Sequence, residues 1–290
     1  MRTELECLPC FFRQTSRTLK YAGVNGDRGR DITRRAGAII ENASFDQAPA
    51  RISTLLHRLI RTESGLDPYG QVKEAYNRIA LEMLPEIRRM AHDHTGAGSG
   101  ADGLAGSAWA AIAGNVIDFG IYDDVDLDRA VRDSFPVPLA GSAFTEFSRA
   151  VNGARTVLYL CDNAGEIVFD RVLIEALRDR GKRVIAVVKG SPVINDATIE
   201  DARAAGLHES ASAVMDNGND GIGTLLELCS GPFLDEYRSA DLIISKGQAN
   251  YETLVPERDK RIFFLFMVKC PVVAKALDRK NGDIVLLANR

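Results

Sequence analysis

The sequence predicts an α/β protein: a Rossmann-like α/β/α sandwich with a mostly parallel sheet, preceded by an all-helical N-terminal subdomain. Three observations carry this. From about residue 154, short β-prone runs alternate with helical stretches, the order that builds parallel sheets through crossover helices. From Asp31 to about His94, apolar residues recur at three- and four-residue steps with no strand signal. Polar residues then gather where successive strands end, the edge at which open α/β sheets bind ligands. The expected division is residues 1–120 for the helical part and 121–290 for the sheet part.

Cys7-Leu8-Pro9-Cys10 opens the first helix. A C-x-x-C pair serves redox chemistry or supplies half of a zinc site. No second pair follows, and only six residues precede it, too few for the strand of a thioredoxin-like centre. Two small apolar residues packed under a helix start is the competing reading. Ile39 and Ile40, then Ile52, Leu55, Leu56, Leu59 and Ile60, mark the next helices. Asp67-Pro68-Tyr69-Gly70 interrupts the pattern with a Pro just after a capping residue. A further helix runs through Val72, Ile79, Met83 and Leu84. His92 and His94 stand two apart, on different helix faces, and read as surface residues leading into a loop. That loop holds five glycines between 96 and 106 but lacks the G-K-[S/T] of a phosphate loop, so it reads as a flexible connector.

An Ala-rich helix from Ser107 to Gly120 carries Asn115 and Asp118 on one face. They either satisfy the helix end or contribute to a site. Strands are expected at 155–161, 183–189, 211–215, 241–246, 261–268 and 283–288, with helices at 166–180, 196–205 and 222–238.

Bulk properties bound the function. At 290 residues, 46% hydrophobic and 26% charged, the chain is ordinary for a soluble globular enzyme. The net charge is −4, although the first forty residues are locally basic. Without aromatic interleaving, that basic start argues for a solvated helical face and not for nucleic acid. No apolar run reaches 18 residues, so no membrane-spanning helix is expected. The N-terminus has no signal-peptide core, and a cytoplasmic location is expected. Five sparse cysteines argue against a disulfide framework. Oligomeric state stays open, a homo-oligomer included.

The strand ends carry the chemistry. They supply Asp162 and Asn163, then Lys189 with Asn195 and Asp196, then Asp216, then Lys246 with Asn250. In a parallel sheet these converge on one edge. Asp162, Asn163 and Asp196 offer the oxygen donors that hard divalent cations prefer. Lys189 and Lys246 are placed to neutralise a phosphate, with Asn250, Asn115 and Asp216 on the substrate side. Backbone amides at the helix starts after 163 and 196 are expected to add anion binding. Glu166, in the next turn, orients a water or acts as general base, and Asp118 closes over the strand ends from the helical part. For Asp162 alone, helix capping competes with ligation. Asp162 as a phosphorylated nucleophile is disfavoured, because Ala164 stands where a second acid is usual. A dinucleotide oxidoreductase is disfavoured because no G-x-G-x-x-G follows a strand.

Taken together, Cys7-x-x-Cys10, Asp67-Pro68-Tyr69, Gly114-Asn115-x-Ile117-Asp118, Asp162-Asn163-x-Gly165-Glu166, Asn195-Asp196-Ala197 and Lys246-Gly247-Gln248-x-Asn250-Tyr251-Glu252 run through nearly the whole chain. As a set they resemble the metal-dependent damage-control phosphatases, the family known as domain of unknown function 89. The C-x-x-C places the chain near the branch common in prokaryotes. The resemblance implies a divalent metal (Mg, Mn, Co or Ni) held at Asp162, Asn163 and Asp196, with Asp162 central to catalysis. It also implies Lys246 as the phosphate-binding lysine. The implied activity is hydrolysis of phosphate esters of small, side-product or damaged metabolites, such as sugar phosphates, phosphopantetheine or nucleotides. The alternative is a non-catalytic nucleotide- or sugar-phosphate-binding regulator on the same fold.

Overall fold

A computed structural model describes residues 1–93, 103–115 and 141–290. The helical part comprises α1 (Cys7–Tyr21), α2 (Gly26–Glu41), α3 (Pro49–Ser64), α4 (Gly70–Asp93) and α5 (Leu104–Gly114). After α6 (Ser142–Gly153) the chain alternates: β1 (Thr156–Leu160), α7 (Glu166–Asp179), β2 (Arg183–Val188), α8 (Ile199–Ala204), α9 (Leu207–Ser210) and β3 (Ala213–Asp216). Then come α10 (Gly231–Ser239), β4 (Leu242–Lys246), α11 (Gln248–Leu254), β5 (Ile262–Met267), α12 (Pro271–Leu277) and β6 (Ile284–Ala288).

Among the described residues the six strands form one sheet in the order β3-β2-β1-β4-β5-β6. The pairs from β3 through β5 are parallel, and β6 lies antiparallel to β5. Strand order therefore reverses between β1 and β4. Both faces are covered, which is why the strands read as unbroken apolar runs. Val157, Tyr159 and Cys161 join one core, whereas Leu158 and Leu160 join the other with Phe233, Tyr237, Tyr251 and Phe264.

The helical part divides. Cys7, Phe11, Ala36, Ile40, Ile52 and Leu56 build a small core of their own from α1, α2 and α3. Ala80, Leu84, Ile87 and Ala91 of α4, and α5 from Leu104 to Ala113, instead enter the core on one face of the sheet. The boundary expected at 120/121 lies outside the described residues, as do His94, Asp118 and most of the glycine-rich loop.

One expected helix is shorter than its pattern. The stretch 222–238 yields a 3₁₀ turn at Leu226–Leu228 and then α10, which starts only at Gly231. Pro232 cannot sit in a helix interior but suits a first turn, where Ser230 Oγ accepts the Phe233 amide as cap. No helix among the described residues is long and apolar enough to cross a membrane.

Candidate active site

The crevice beside the strand-order reversal is built by main-chain pairing. Beyond β2 the chain turns back across the end of β1. The amide of Ala164 donates to Asn195 O at 2.8 Å, that of Ala197 to Asp162 O at 2.8 Å, and that of Lys189 to Ala197 O at 2.8 Å. Asn163 and Asp196 face each other in an isolated antiparallel bridge. Asp162, Asn163 and Asp196 are thereby drawn into one place. On the β4 side, Gly247 has φ +80°, and a Cβ there would run into the Asp162 carboxylate. Only glycine allows β4 to turn into α11 so close to that acid. Gly165, at φ +77°, turns β1 into α7 with Tyr76 of α4 packed against it, and its amide donates to Asn77 Oδ1 at 2.7 Å.

A hydrogen-bond lattice lies beneath, with Asp170 Oδ2 its one carboxylate oxygen that is buried without a hydrogen-bond partner among the described residues. Asn163 Nδ2 donates to Asp162 Oδ2 at 2.8 Å and to Glu166 Oε2 at 3.1 Å. Asn115 Nδ2 donates to the same two oxygens, at 3.3 Å and 2.8 Å, and its Oδ1 accepts the Met267 amide at 3.0 Å. Lys246 Nζ donates to Ala111 O at 2.7 Å, Glu166 Oε1 at 2.5 Å and Asp170 Oδ1 at 2.6 Å. Tyr159 OH donates to Asp170 Oδ1 at 2.7 Å. Glu166, Asp170 and Lys246 are all 0% exposed. Burial works to lower the Lys246 pKa, but Asp170 and Glu166 together raise it above the ordinary lysine range, so it stays charged. Burial pushes the Asp170 carboxyl up to about 6 against the pull of Lys246. Burial, then the Asp170 charge, raises the Tyr159 hydroxyl well above its ordinary value.

The donor set suits a divalent cation. Buried here are the carboxylates of Asp162, Glu166, Asp170 and Asp196 against the ammoniums of Lys189 and Lys246. Two negative charges in excess are costly in a dry site, and a divalent cation would cancel them. The Asn163 amide is oriented for the task. Both its partners are carboxylate oxygens, so its nitrogen must face them and its carbonyl oxygen turns the other way. Among the described residues no group of three or more His, Cys, Asp or Glu side chains is arranged to hold a metal. A cation here would therefore take Asp162 and Asp196 with the Asn163 amide oxygen as the third donor.

Several of the expected site residues have partners within the protein. Lys246 was expected to meet phosphate; the structure commits its three N–H bonds to Ala111, Glu166 and Asp170. It sits one strand residue on from Ser245 and faces the side of Leu242 and Ile244, under α5 and α7. Asn250 is equally internal: its Nδ2 donates to Lys246 O at 2.7 Å and its Oδ1 accepts from Thr224 Oγ1 at 2.8 Å. Asn115 uses its whole amide on protein partners and is a brace. Glu166 accepts from Lys246 on Oε1 and from Asn115 and Asn163 on Oε2, and so orients these neighbours. Asp216 Oδ1 accepts the Gly218 amide at 2.8 Å, a turn at the edge strand. Lys189, also buried, has Nζ 3.4 Å from Asp196 Oδ2 and donates to Gly223 O.

The amides of Ala164, Gly165, Ile167, Val168, Ala197 and Thr198 donate within the protein, which narrows the expected anion cradle to the first amides of α7 and α8. Asp170 and Tyr159 are the residues the sequence reading passed over. The signal was present: Asp170 falls four residues after Glu166, one helical turn on, inside the apolar run Ile167–Ile174.

The family model described as the damage-control phosphatase ARMT1-like domain matches residues 3–285. An uncharacterised protein of Methanocaldococcus jannaschii is 38% identical, covering 97% of this chain and 94% of its own length. A damage-control phosphatase of Pyrococcus horikoshii is 33% identical over 100% of this chain and 99% of its own. A crystal structure of a DUF89-family protein from Pyrococcus horikoshii superposes with a TM-score of 0.88 at 32% identity, covering 100% of both chains. Matched over residues 3–285 by the family model and along its whole length by a relative a third identical, this chain belongs to the damage-control phosphatase ARMT1-like domain family.

Proposed function

We propose that this chain is a metal-dependent phosphatase for phosphate esters of small metabolites, side-product or damaged ones among them. The observation that carries the reading is the Asp162–Asn163–Asp196 oxygen set at the β1/β4 crevice, inside a site with more buried carboxylates than ammoniums. Asp162, Asn163 and Asp196 would hold the cation, with Mg, Mn, Co and Ni as candidates for an oxygen-rich site. When bound, such a cation neutralises charge developing on the phosphoryl oxygens and activates water for attack. Lys189 replaces Lys246 as the ammonium that meets the phosphate, because it stands beside Asp196 at the crevice. Glu166, held by Lys246 on one oxygen and by two amides on the other, keeps Asn163 in its ligating orientation.

The test is a phosphate-release screen of metal-stripped protein against phosphomonoesters, with Mg, Mn, Co and Ni each added back. Phosphate release that requires an added metal supports the reading. Saturable binding of a phosphoester with no release under any metal would replace it with the regulator. An independent readout is Mn²⁺ titration of Asp196→Ala, which should bind far more weakly than wild type whether or not a substrate is found.

A further inference from the structure

We infer that Asp170 and Lys246 form a positioning pair for Glu166, braced by Tyr159, and that Lys246 serves the reaction through Glu166 and Asn163 without touching phosphate. The inference rests on the phosphatase reading and names residues that act behind its site.

A lone buried Lys–Glu pair would need no second acid. Lys246 would be nearly satisfied by Glu166 and by Ala111 O. Yet Asp170 is placed one turn along α7, fully buried, at 2.6 Å from the same nitrogen. A carboxylate in so apolar a stretch is expensive to bury, and a structural pair alone would gain from losing it. What Asp170 adds is direction. An ammonium has three N–H bonds in tetrahedral geometry, and here each has its own acceptor on a different part of the chain: α5, and two positions of α7. The nitrogen cannot swing. Tyr159, donating from β1 at 2.7 Å, fixes Asp170 in turn.

The consequence passes along the lattice. With Oε1 pinned by Lys246, the Glu166 carboxylate plane is set, and Oε2 is presented to the Asn163 and Asn115 amides. Those bonds hold the Asn163 nitrogen against the two carboxylates and turn its carbonyl oxygen away from them. Hydrogen-bonded partners of this kind typically change metal affinity or activity by about 10- to 100-fold when removed.

The test compares Asp170→Asn, Lys246→Met and the double variant with wild type. Mn²⁺ affinity is read by titration, inhibition by inorganic phosphate by its Ki, and kcat and KM on the best substrate of the screen. Each single variant should lose about 10- to 100-fold in Mn²⁺ affinity or kcat, with KM and the phosphate Ki within about twofold. The double variant should be little worse than the worse single one, because the pair acts as a unit. A tenfold or larger rise in KM or phosphate Ki for Lys246→Met would overturn the inference in favour of direct phosphate contact. Unchanged Mn²⁺ affinity and kcat in Asp170→Asn would overturn it as well. A structural role alone would lower the melting temperature and leave that kcat-against-KM split unmoved. If the larger changes prevent folding, Tyr159→Phe removes only the hydroxyl, and a few-fold fall in Mn²⁺ affinity or kcat is expected; no change in either would overturn the inference. Should wild type release no phosphate under any metal, the phosphatase reading fails on its own, while the Mn²⁺ titrations still judge the pair.

Discussion

Two of the ionic clusters among the described residues that tie the helical part to the sheet are built in opposite ways. Around Lys246, Glu166 and Asp170 every charged atom is sealed, and each hydrogen bond has one partner it cannot exchange for water. Over the loops that follow β2 and β3, Arg58 and Arg61 of α3 close on Asp220, while Arg61 also donates to Pro192 O and Thr54 Oγ1 accepts the Ile222 amide at 2.9 Å. There the arginine side chains are 44% and 24% exposed. Desolvation makes the first cluster costly unless complete, so losing one member distorts the rest. Water screens the second, which can loosen without leaving a bare charge. The dry cluster can fix the orientation of a ligand; the wet one can only hold a helix down. A variant series across the two should separate loss of chemistry from loss of stability.

The largest effects belong to the dry side. Asp162→Ala removes the acceptor of two buried amides as well as a proposed cation ligand, and should abolish metal-dependent phosphate release. Retained release with normal Mn²⁺ affinity would remove Asp162 from the site. Gly247→Ala should do nearly as much harm without touching a polar group. Its φ of +80° costs about 1–2 kcal/mol for a residue with a Cβ, and the added methyl collides with the Asp162 carboxylate. Thermal melting and Mn²⁺ titration of that variant should both worsen; a change in melting alone would mean that Asp162 tolerates displacement.

pH sharpens the contrast, because the two clusters titrate with opposite sign. Hydrogen bonds from Arg58 and then Arg61, against the opposing effect of burial, hold Asp220 down to about 2 from an ordinary 3.8. A depressed carboxyl contributes stability above its unfolded value, and that stability is lost as pH falls from about 4 toward 2. Asp220→Asn should therefore cost about 1 kcal/mol at pH 7, a difference that shrinks across that acid window. Asp170 is raised, to about 6 from 3.8, chiefly by burial. Its contribution is fully present below its unfolded value and is lost as pH rises through about 6. Stability of Asp170→Asn relative to wild type should accordingly improve between pH 4 and 6, by up to about 3 kcal/mol. Denaturant midpoints at a series of pH values read both, and parallel pH trends in the two variants would contradict the assignment.

The same contrast explains what the sequence revealed. The strand expected at 155–161 is Thr156–Leu160, and that at 183–189 is Arg183–Val188, because strands buried on both faces are short continuous apolar runs. The gathering of Asp162, Asn163, Asp196 and Glu166 was readable too, since parallel topology sends strand ends to one edge. Which way Lys246 points was readable in principle. It shares the parity of Ile244 and Leu242, which puts it on the face of the sheet under α5 and α7. The Arg58–Asp220 contact had no local signal, for the partners are 162 positions apart and nothing in either segment names the other. The break at Pro232 was visible but was outweighed by the apolar spacing around it.

The smallest effect is expected at Cys7 and Cys10, and it tests whether the α1–α3 core stands apart from the chemistry. Cys7 is buried against Phe11, Ile40 and Leu56, and its Sγ accepts the Glu4 amide at 3.5 Å. Burial pushes its thiol up to about 11, which leaves on the order of one thiolate in 10⁴ at neutral pH. Such a sulfur is a packing group, neither a nucleophile nor a ready redox centre. Cys10 is half-buried and accepts from Gln14 Nε2 at 3.3 Å, on the helix that Cys7 anchors. Replacing both by serine trades buried sulfur for a hydroxyl in an apolar core, which should cost about 1–2 kcal/mol. The urea midpoint of Cys7→Ser/Cys10→Ser should fall accordingly, while kcat and Mn²⁺ affinity stay within about twofold of wild type. Iodoacetamide at pH 7 should leave Cys7 of the native protein unmodified. A folded, metal-loaded double variant without turnover would show that this small core governs the strand-end site after all, and the separation drawn between the two parts of the molecule would have to be abandoned.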